Sequence, residues 1–326
     1  KAMTNLTEPH PMKLSLSNML GISYPVLVAP MFLVSNTSMV IEALKSGGTA
    51  AIPALNYRTE SALREAVAQI RSAANAPFGF NLIVNKSNPK WKQQLSVLTD
   101  LKVDFIITSL GSPEEVIKRC KPLSIKVFCD VVNLAYAKKV EALGADALIA
   151  VGSEAGGHCG PVSNRILVPE LVEHCRIPVI AAGGISRPEH VREMLDLGAA
   201  GVSVGTIFIA SVESPVSDDY KQALIKYKSK DIVLSTRLSG SHLTVINTPY
   251  VQQIGTKGSF LEHWMKRHKR FRNFLRMIIF ARGMKKMEKA AFKATYQTVW
   301  VAGPAIDDIH SVRPLRAIMQ ELTAGF

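Results

Sequence analysis

The 326-residue sequence contains no run of about 18 or more uncharged apolar residues. That lack argues against a membrane-spanning helix. The four cysteines, Cys120, Cys129, Cys159 and Cys175, include no CxxC pair and no disulfide-like spacing, so a reduced, cytoplasmic setting is expected. The eight histidines, His10, His158, His174, His190, His242, His263, His268 and His310, form no close-set ligand motif with Cys or carboxylates. No metal site is expected. No G-x-G-x-x-G follows the first apolar run, which disfavours a dinucleotide-binding sheet. The first residues also lack the charged, apolar, small-residue succession of a secretory leader, and Lys1-Ala2 ahead of Met3 reads as an extraneous addition.

What is present is an apolar fraction of 47%, enough for a large core, and a repeating pattern. Short strand-like runs occur at Val26 to Ala29, Thr49 to Pro53, Phe78 to Val84, Asp104 to Thr108, Lys126 to Asp130, Ala147 to Val151, Pro178 to Ala182 and Gly201 to Gly205. Helical patterns lie between them, such as Thr59 to Ile70 and Leu134 to Leu143 before Gly144. Eight such units fit a closed parallel barrel better than an open doubly wound sheet. The expected fold is therefore α/β, a (β/α)8 TIM barrel over residues 14–214 with an additional, mainly helical subdomain or lid over 215–302. Residues 303–326 are expected to pack back on the barrel, with a closing helix from Ser311 to Leu322.

The formal net charge of +13 is unevenly spread, because Lys266 to Lys293 holds eleven Lys or Arg against one acid, Glu288. Between Phe260 and Phe292 the apolar residues Leu261, Trp264, Met265, Phe271, Phe274, Leu275, Ile278 and Ile279 recur at helical spacing. The leading reading is a packed lid with a solvated basic face. The alternative is a surface for an anionic partner such as an acyl carrier, the phosphates of coenzyme A or, ranked lower, a membrane. Nucleic acid is not expected, since the aromatic residues sit on the apolar stripe instead of interleaving with the basic face.

In a barrel of this kind the residues just after each strand carry the chemistry. The sixth run is followed by Gly152-Ser153-Glu154-Ala155-Gly156-Gly157-His158-Cys159-Gly160, which places one imidazole on a glycine-rich loop. Ala182-Gly183-Gly184 after the seventh run and Gly205-Thr206 after the eighth each open a helix, where free N–H groups and the helix dipole suit a phosphate. Ala29-Pro30-Met31 offers a small apolar edge for a flat ring, and Asn81 both an amide donor and a carbonyl acceptor. One phosphate and one flat heteroaromatic ring fit FMN better than a dinucleotide.

The ordered motifs Ala29-Pro30-Met31, Gly79-Phe80-Asn81, Glu154-Ala155-Gly156-Gly157-His158-x-Gly160, Ala182-Gly183-Gly184-Ile185 and Gly205-Thr206 resemble those of the nitronate monooxygenase family. Its superfamily also contains flavin-dependent enoyl-acyl-carrier-protein reductases and NAD(P)H:quinone reductases. The resemblance runs from about Leu14 to Leu322, resting later on Asn247-Thr248-Pro249 and Val301-Ala302-Gly303-Pro304. It implies that FMN is held by Ala29, Pro30 and Met31, by Asn81, by Gly156 and Gly157 near the ring, and by Ala182, Gly183, Gly184, Gly205 and Thr206 toward the phosphate. It further implies that His158 is the catalytic base for a nitroalkane or steadies a nitronate, with molecular oxygen as co-substrate. One departure is Asp130, in Phe128-Cys129-Asp130-Val131, where many relatives carry a Lys near the flavin. Cys159 is read as a small packing residue. Two rival functions stay open: an NAD(P)H-dependent reductase of enoyl thioesters or quinones, and a non-catalytic module that binds an anionic partner or membrane.

Overall fold

The computed structural model describes residues 14–85, 88–236, 242–257, 278, 281–289, 291 and 298–326. All eight strand-like runs are strands: β1 (Val26–Val28), β2 (Thr49–Pro53), β3 (Gly79–Ile83), β4 (Phe105–Ser109), β5 (Lys126–Val131), β6 (Ala147–Val151), β8 (Val179–Ala182) and β9 (Gly201–Val204). They close in the order β1-β2-β3-β4-β5-β6-β8-β9, with β9 pairing back on β1 through Leu27 opposite Ser203. Each strand is buried on both faces, one against the helices and one inside the barrel, which is why each reads as a continuous apolar run.

The barrel interior is packed with side chains. Leu27, Ala51, Phe105, Ile107, Phe128, Ala147, Ile149 and Ile180 form one cluster, in which Phe105 and Phe128 stack with centroids 4.9 Å apart. A short helix, Leu16–Leu20, closes the end opposite the strand C-termini: Leu16 is fully buried, and its N–H donates to the Ala200 carbonyl just before β9 at 2.7 Å. Gly79 leaves room for this filling, since a Cβ there would lie 2.3 Å from the Phe105 ring.

The connecting helices follow their sequence signals. Glu60–Ala73 starts where the Thr59 hydroxyl accepts the Ala62 N–H, and turns Leu63, Ala66, Val67 and Ile70 inward. Leu134–Ala142 is capped by Asn133 and ends before Gly144, whose φ of +95° suits glycine. The closing helix is shorter than expected, Leu315–Leu322, because Pro314 is its N-cap and Arg313 is drawn into a bridge with Ser211.

Beyond the barrel, helix Asp218–Lys226 is followed by β10 (Ile232–Ser235) and β11 (Leu243–Ile246), which pair antiparallel. The sequence pattern names only helices here, and the structure adds this sheet. Its third strand is β7, just Gly157–His158, which pairs with β11 through His158 opposite Leu243. Four-residue runs and a dipeptide among glycines are too short for period-two alternation to register. Residues 281–289 are helical. Most of the expected amphipathic stripe, including Leu261, Trp264, Met265, Phe271, Phe274, Leu275 and Ile279, lies outside the described residues.

The Phe105–Phe128 stack is the test of the barrel filling. Phe128→Ala is expected to cost about 3–5 kcal/mol, read as a lower urea midpoint at unchanged slope. An unmoved midpoint would show that the interior collapses around the gap.

Candidate active site

A cavity of about 900 Å³ opens at the C-terminal ends of the barrel strands. Ala29, Pro30, Met31, Asn81, Asp130, Gly156, Gly157, His158, Ala182, Gly183, Gly184, Gly205 and Thr206 all line it. Residues separated by up to 177 positions in the chain thus share one wall, because parallel strands end on the same side of the barrel.

The segment after β1 is held in place by its backbone: the Ala29 N–H donates to the Val204 carbonyl at 2.8 Å and the Met31 N–H to the Ser35 hydroxyl at 2.8 Å. Across the cavity the glycine loops interlock. A Cβ at Gly156 would come within 2.7 Å of the Thr206 hydroxyl, and one at Gly183, whose φ is +117°, within 2.6 Å of the Ala155 nitrogen. The Thr206 hydroxyl accepts the Gly303 N–H at 3.0 Å, and such a hydroxyl keeps its own proton to donate. The loop after β9 is thereby tied to the segment that returns from the added region.

His158 owes its position to the second sheet. The Gly157 N–H donates to the Thr244 hydroxyl at 2.9 Å, and that hydroxyl donates in turn to the Ala155 carbonyl at 3.0 Å. Burial pushes the His158 imidazole below its ordinary 6.5, so the neutral ring prevails at pH 7. Cys159 also faces the cavity, with its thiol pushed up by burial and therefore held as the unreactive neutral form at pH 7.

Along β3, β4 and β5, the Asn81 amide donates to the Ile107 carbonyl at 3.3 Å and to the Ser109 hydroxyl at 2.7 Å. Ser109 donates to the Asp130 carboxylate, whose pKa burial pushes up to about 6 although that bond opposes the rise. Ser109 went unmarked in the sequence, though it ends β4 as Asp130 nearly ends β5, while Asn81 lies in the middle of β3.

The roof comes from the added region, through residues that the sequence reading did not single out. Tyr220 donates its hydroxyl to the Val301 carbonyl at 2.5 Å and stacks on Trp300, while Leu243, Met284 and Met287 supply apolar surface above the strand ends. The Met284 and Met287 helix is tied down at its rim by an Arg58–Glu288 ion pair and by Lys286 over the Tyr250 ring. Among the described residues no cluster of His, Cys, Asp and Glu is placed to hold a metal ion. No helix among them is long and apolar enough to cross a membrane.

A family model described as nitronate monooxygenase matches residues 86–325. Over 248 residues the chain is 29% identical to a (3aS,4S,5R,7aS)-5-hydroxy-7a-methyl-1-oxo-octahydro-1H-indene-4-carboxyl-CoA dehydrogenase of Rhodococcus jostii (strain RHA1), covering 76% of this chain and 69% of that protein. It is also 29% identical over 283 residues to a probable nitronate monooxygenase of Staphylococcus aureus (strain MRSA252), covering 73% and 79%. Among solved structures it superposes on FabK from Thermotoga maritima with a TM-score of 0.81 and 27% identity, over 94% of each chain. With the closed barrel and its large strand-end cavity, these matches set aside a purely non-catalytic binding module. The chain belongs to the nitronate monooxygenase family and is an oxidoreductase.

Proposed function

We propose that the protein is an FMN-dependent oxidoreductase of the nitronate monooxygenase type, with His158 as the base that takes an acidic proton next to a nitro group. The observation that carries this reading is His158 itself: a half-buried, neutral imidazole on the wall of a mostly apolar cavity, its pKa lowered by desolvation with no acidic partner among the described residues. A neutral base of modest strength suits a carbon acid. Toward an already ionised nitronate the same ring serves as a hydrogen-bond donor.

The residues present fit a flavin. A cavity of about 900 Å³ lies near the upper end of the roughly 300–1,000 Å³ typical of small-molecule sites, which leaves room for cofactor and substrate together. Gly156 and Gly183 pack their Cβ side against Thr206 and Ala155 and so present bare backbone to the cavity that they line. Ala29, Pro30 and Met31 would flank the ring with Gly156 and Gly157, while Asn81 and Asp130 would meet its polar edge. Ala182, Gly183, Gly184, Gly205 and the Thr206 hydroxyl would face the phosphate. Bound FMN supplies the electron acceptor and the route to molecular oxygen. The chain's own part is to orient the substrate, to exclude water beneath Leu243, Met284 and Met287, and to hold the proton at His158. The free cysteines suit a reducing, cytoplasmic setting.

A specific observation favours a second reading, a reductase or dehydrogenase of acyl thioesters that uses NAD(P)H or the thioester as electron donor. Arg282, Lys285 and Lys289 are exposed on the same helical segment that turns Met284 and Met287 to the cavity. Such a rim would attract the phosphates of coenzyme A or an acidic acyl carrier while the acyl group enters the apolar space. One of the relatives points the same way by its name, a carboxyl-CoA dehydrogenase.

Three measurements test these readings. His158→Asn is expected to retain FMN but to lose about 10²–10⁴ in turnover of a neutral nitroalkane, with a much smaller loss for preformed nitronate; equal small losses would remove the base assignment. Because the base must be unprotonated, kcat/KM for the neutral nitroalkane should hold across neutral pH and decline only below His158's ordinary 6.5. Anaerobic mixing of FMN-loaded protein with NADH, NADPH or an acyl-CoA thioester separates the two readings. Flavin that stays oxidised supports the nitronate reading, and rapid bleaching supports the thioester reading, for which the KM should rise steeply with salt.

A further inference from the structure

The bonds on the β3–β4–β5 wall have a fixed direction. The two amide hydrogens of Asn81 go to the Ile107 carbonyl and the Ser109 hydroxyl, and the Ser109 proton goes to Asp130. Asn81 therefore has only its carbonyl oxygen left for a ligand, and Ser109 has no proton to spare. Asp130 is the one member of the cluster whose role toward a ligand changes with its protonation, from acceptor to donor.

Among the described residues no cation offsets this carboxylate. Its neighbour across the sheet is Ile149 of β6, and Tyr136, from the following helix, spends its hydroxyl on the Gly111 carbonyl. On its own strand Cys129 is a neutral thiol, pushed up to about 12 and bonded by Thr108, while Asp146 is engaged by the Val127 N–H at 2.7 Å. Lys139 reaches the cavity from an exposed position, and His158 lines it from the loop after the neighbouring strand β6. Neither contributes to the Asp130 shift, which burial dominates.

The chemistry of a flavin ring then decides which form of Asp130 is useful. An oxidised isoalloxazine has a single ring N–H and several acceptor atoms around it. The Asn81 carbonyl is an acceptor suited to that one donor, and Asp130 sits one hydroxyl away from it along the wall. A ring acceptor beside that N–H needs a donor there, and within this cluster only protonated Asp130 provides one.

We propose that Asp130 is a ring-reading residue that binds the cofactor's acceptor edge in its neutral, proton-donating form, so that flavin binding is coupled to uptake of one proton. The proposal rests on the reading that the cavity holds a flavin. The sign follows from the free carboxyl's value of about 6. Below it the donor form is already present and binding is strongest; above it a proton must be gained and affinity falls.

The test is riboflavin binding to flavin-free protein between pH 5.5 and 8, riboflavin being chosen because it lacks the phosphate that would itself titrate. The expected result is a dissociation constant about 10-fold or more weaker at pH 8 than at pH 6, with close to one proton taken up in calorimetry across buffers of different ionisation enthalpy. Asp130→Asn keeps the acceptor for Ser109 and supplies a permanent donor, so it should bind at pH 8 as tightly as the unmodified protein at pH 6, with a flat profile. A flat or rising profile in the unmodified protein overturns the assignment. So does loss of binding at every pH in a folded Asp130→Asn protein, since that would mean the carboxylate acts as an acceptor. Failure of the unmodified protein to bind any flavin at any pH overturns the cofactor reading together with this one.

Discussion

Closure of β9 on β1 is the constraint on which the other features depend. A closed parallel sheet leaves no strand edge unpaired and brings every strand's C-terminal end to one rim. That rim is the cavity. Its floor is firm because the barrel is filled below by Phe105, Phe128 and the branched residues around them, and plugged at the far end by Leu16. The site stands on a packed core, so its polar groups are held by strand register and not by loop conformation alone.

The added region contributes in a different way. Through β7 and β11 it grips the glycine loop after β6 and holds His158 to a strand register that the loop by itself would lack. Through Gly303 it reaches the Thr206 hydroxyl on the loop after β9. The glycines at these crossings have a steric reason: backbones approach so closely that a Cβ at Gly156, Gly183 or Gly303 would sit within 3 Å of a neighbouring atom. Roof and rim are therefore one packed unit around the cavity.

The electrostatics of the cavity follow from its dryness. Burial moves His158 down and Asp130 up, so both are biased toward their neutral forms. Outside, the helix over the cavity carries exposed Arg282, Lys285 and Lys289. An interior poor in charge beneath a cationic rim suits a substrate with an apolar reacting part and an anionic handle, and the same interior suits proton transfer to a neutral base.

Much of the fold was legible in the sequence. Strands buried on both faces must be apolar throughout, so Thr49–Pro53 and Ala147–Val151 could be read to the residue. The glycine loops were legible as well, because close backbone approach demands residues without a Cβ, and so was the place of His158 on the cavity wall. The β10–β11 hairpin was not legible, since its runs are short and one of its partners is the dipeptide Gly157–His158. Nor were Ser109 and Tyr220, whose places on the wall come from strand register and from chain returning over the barrel. Sequence by itself determined the barrel, its strands and the residue types at its rim, because burial and local backbone geometry act on neighbouring residues. Tertiary structure alone decided which groups share hydrogen bonds, which way each proton points and which ionisable groups lose their water, because those depend on contacts between residues far apart in the chain.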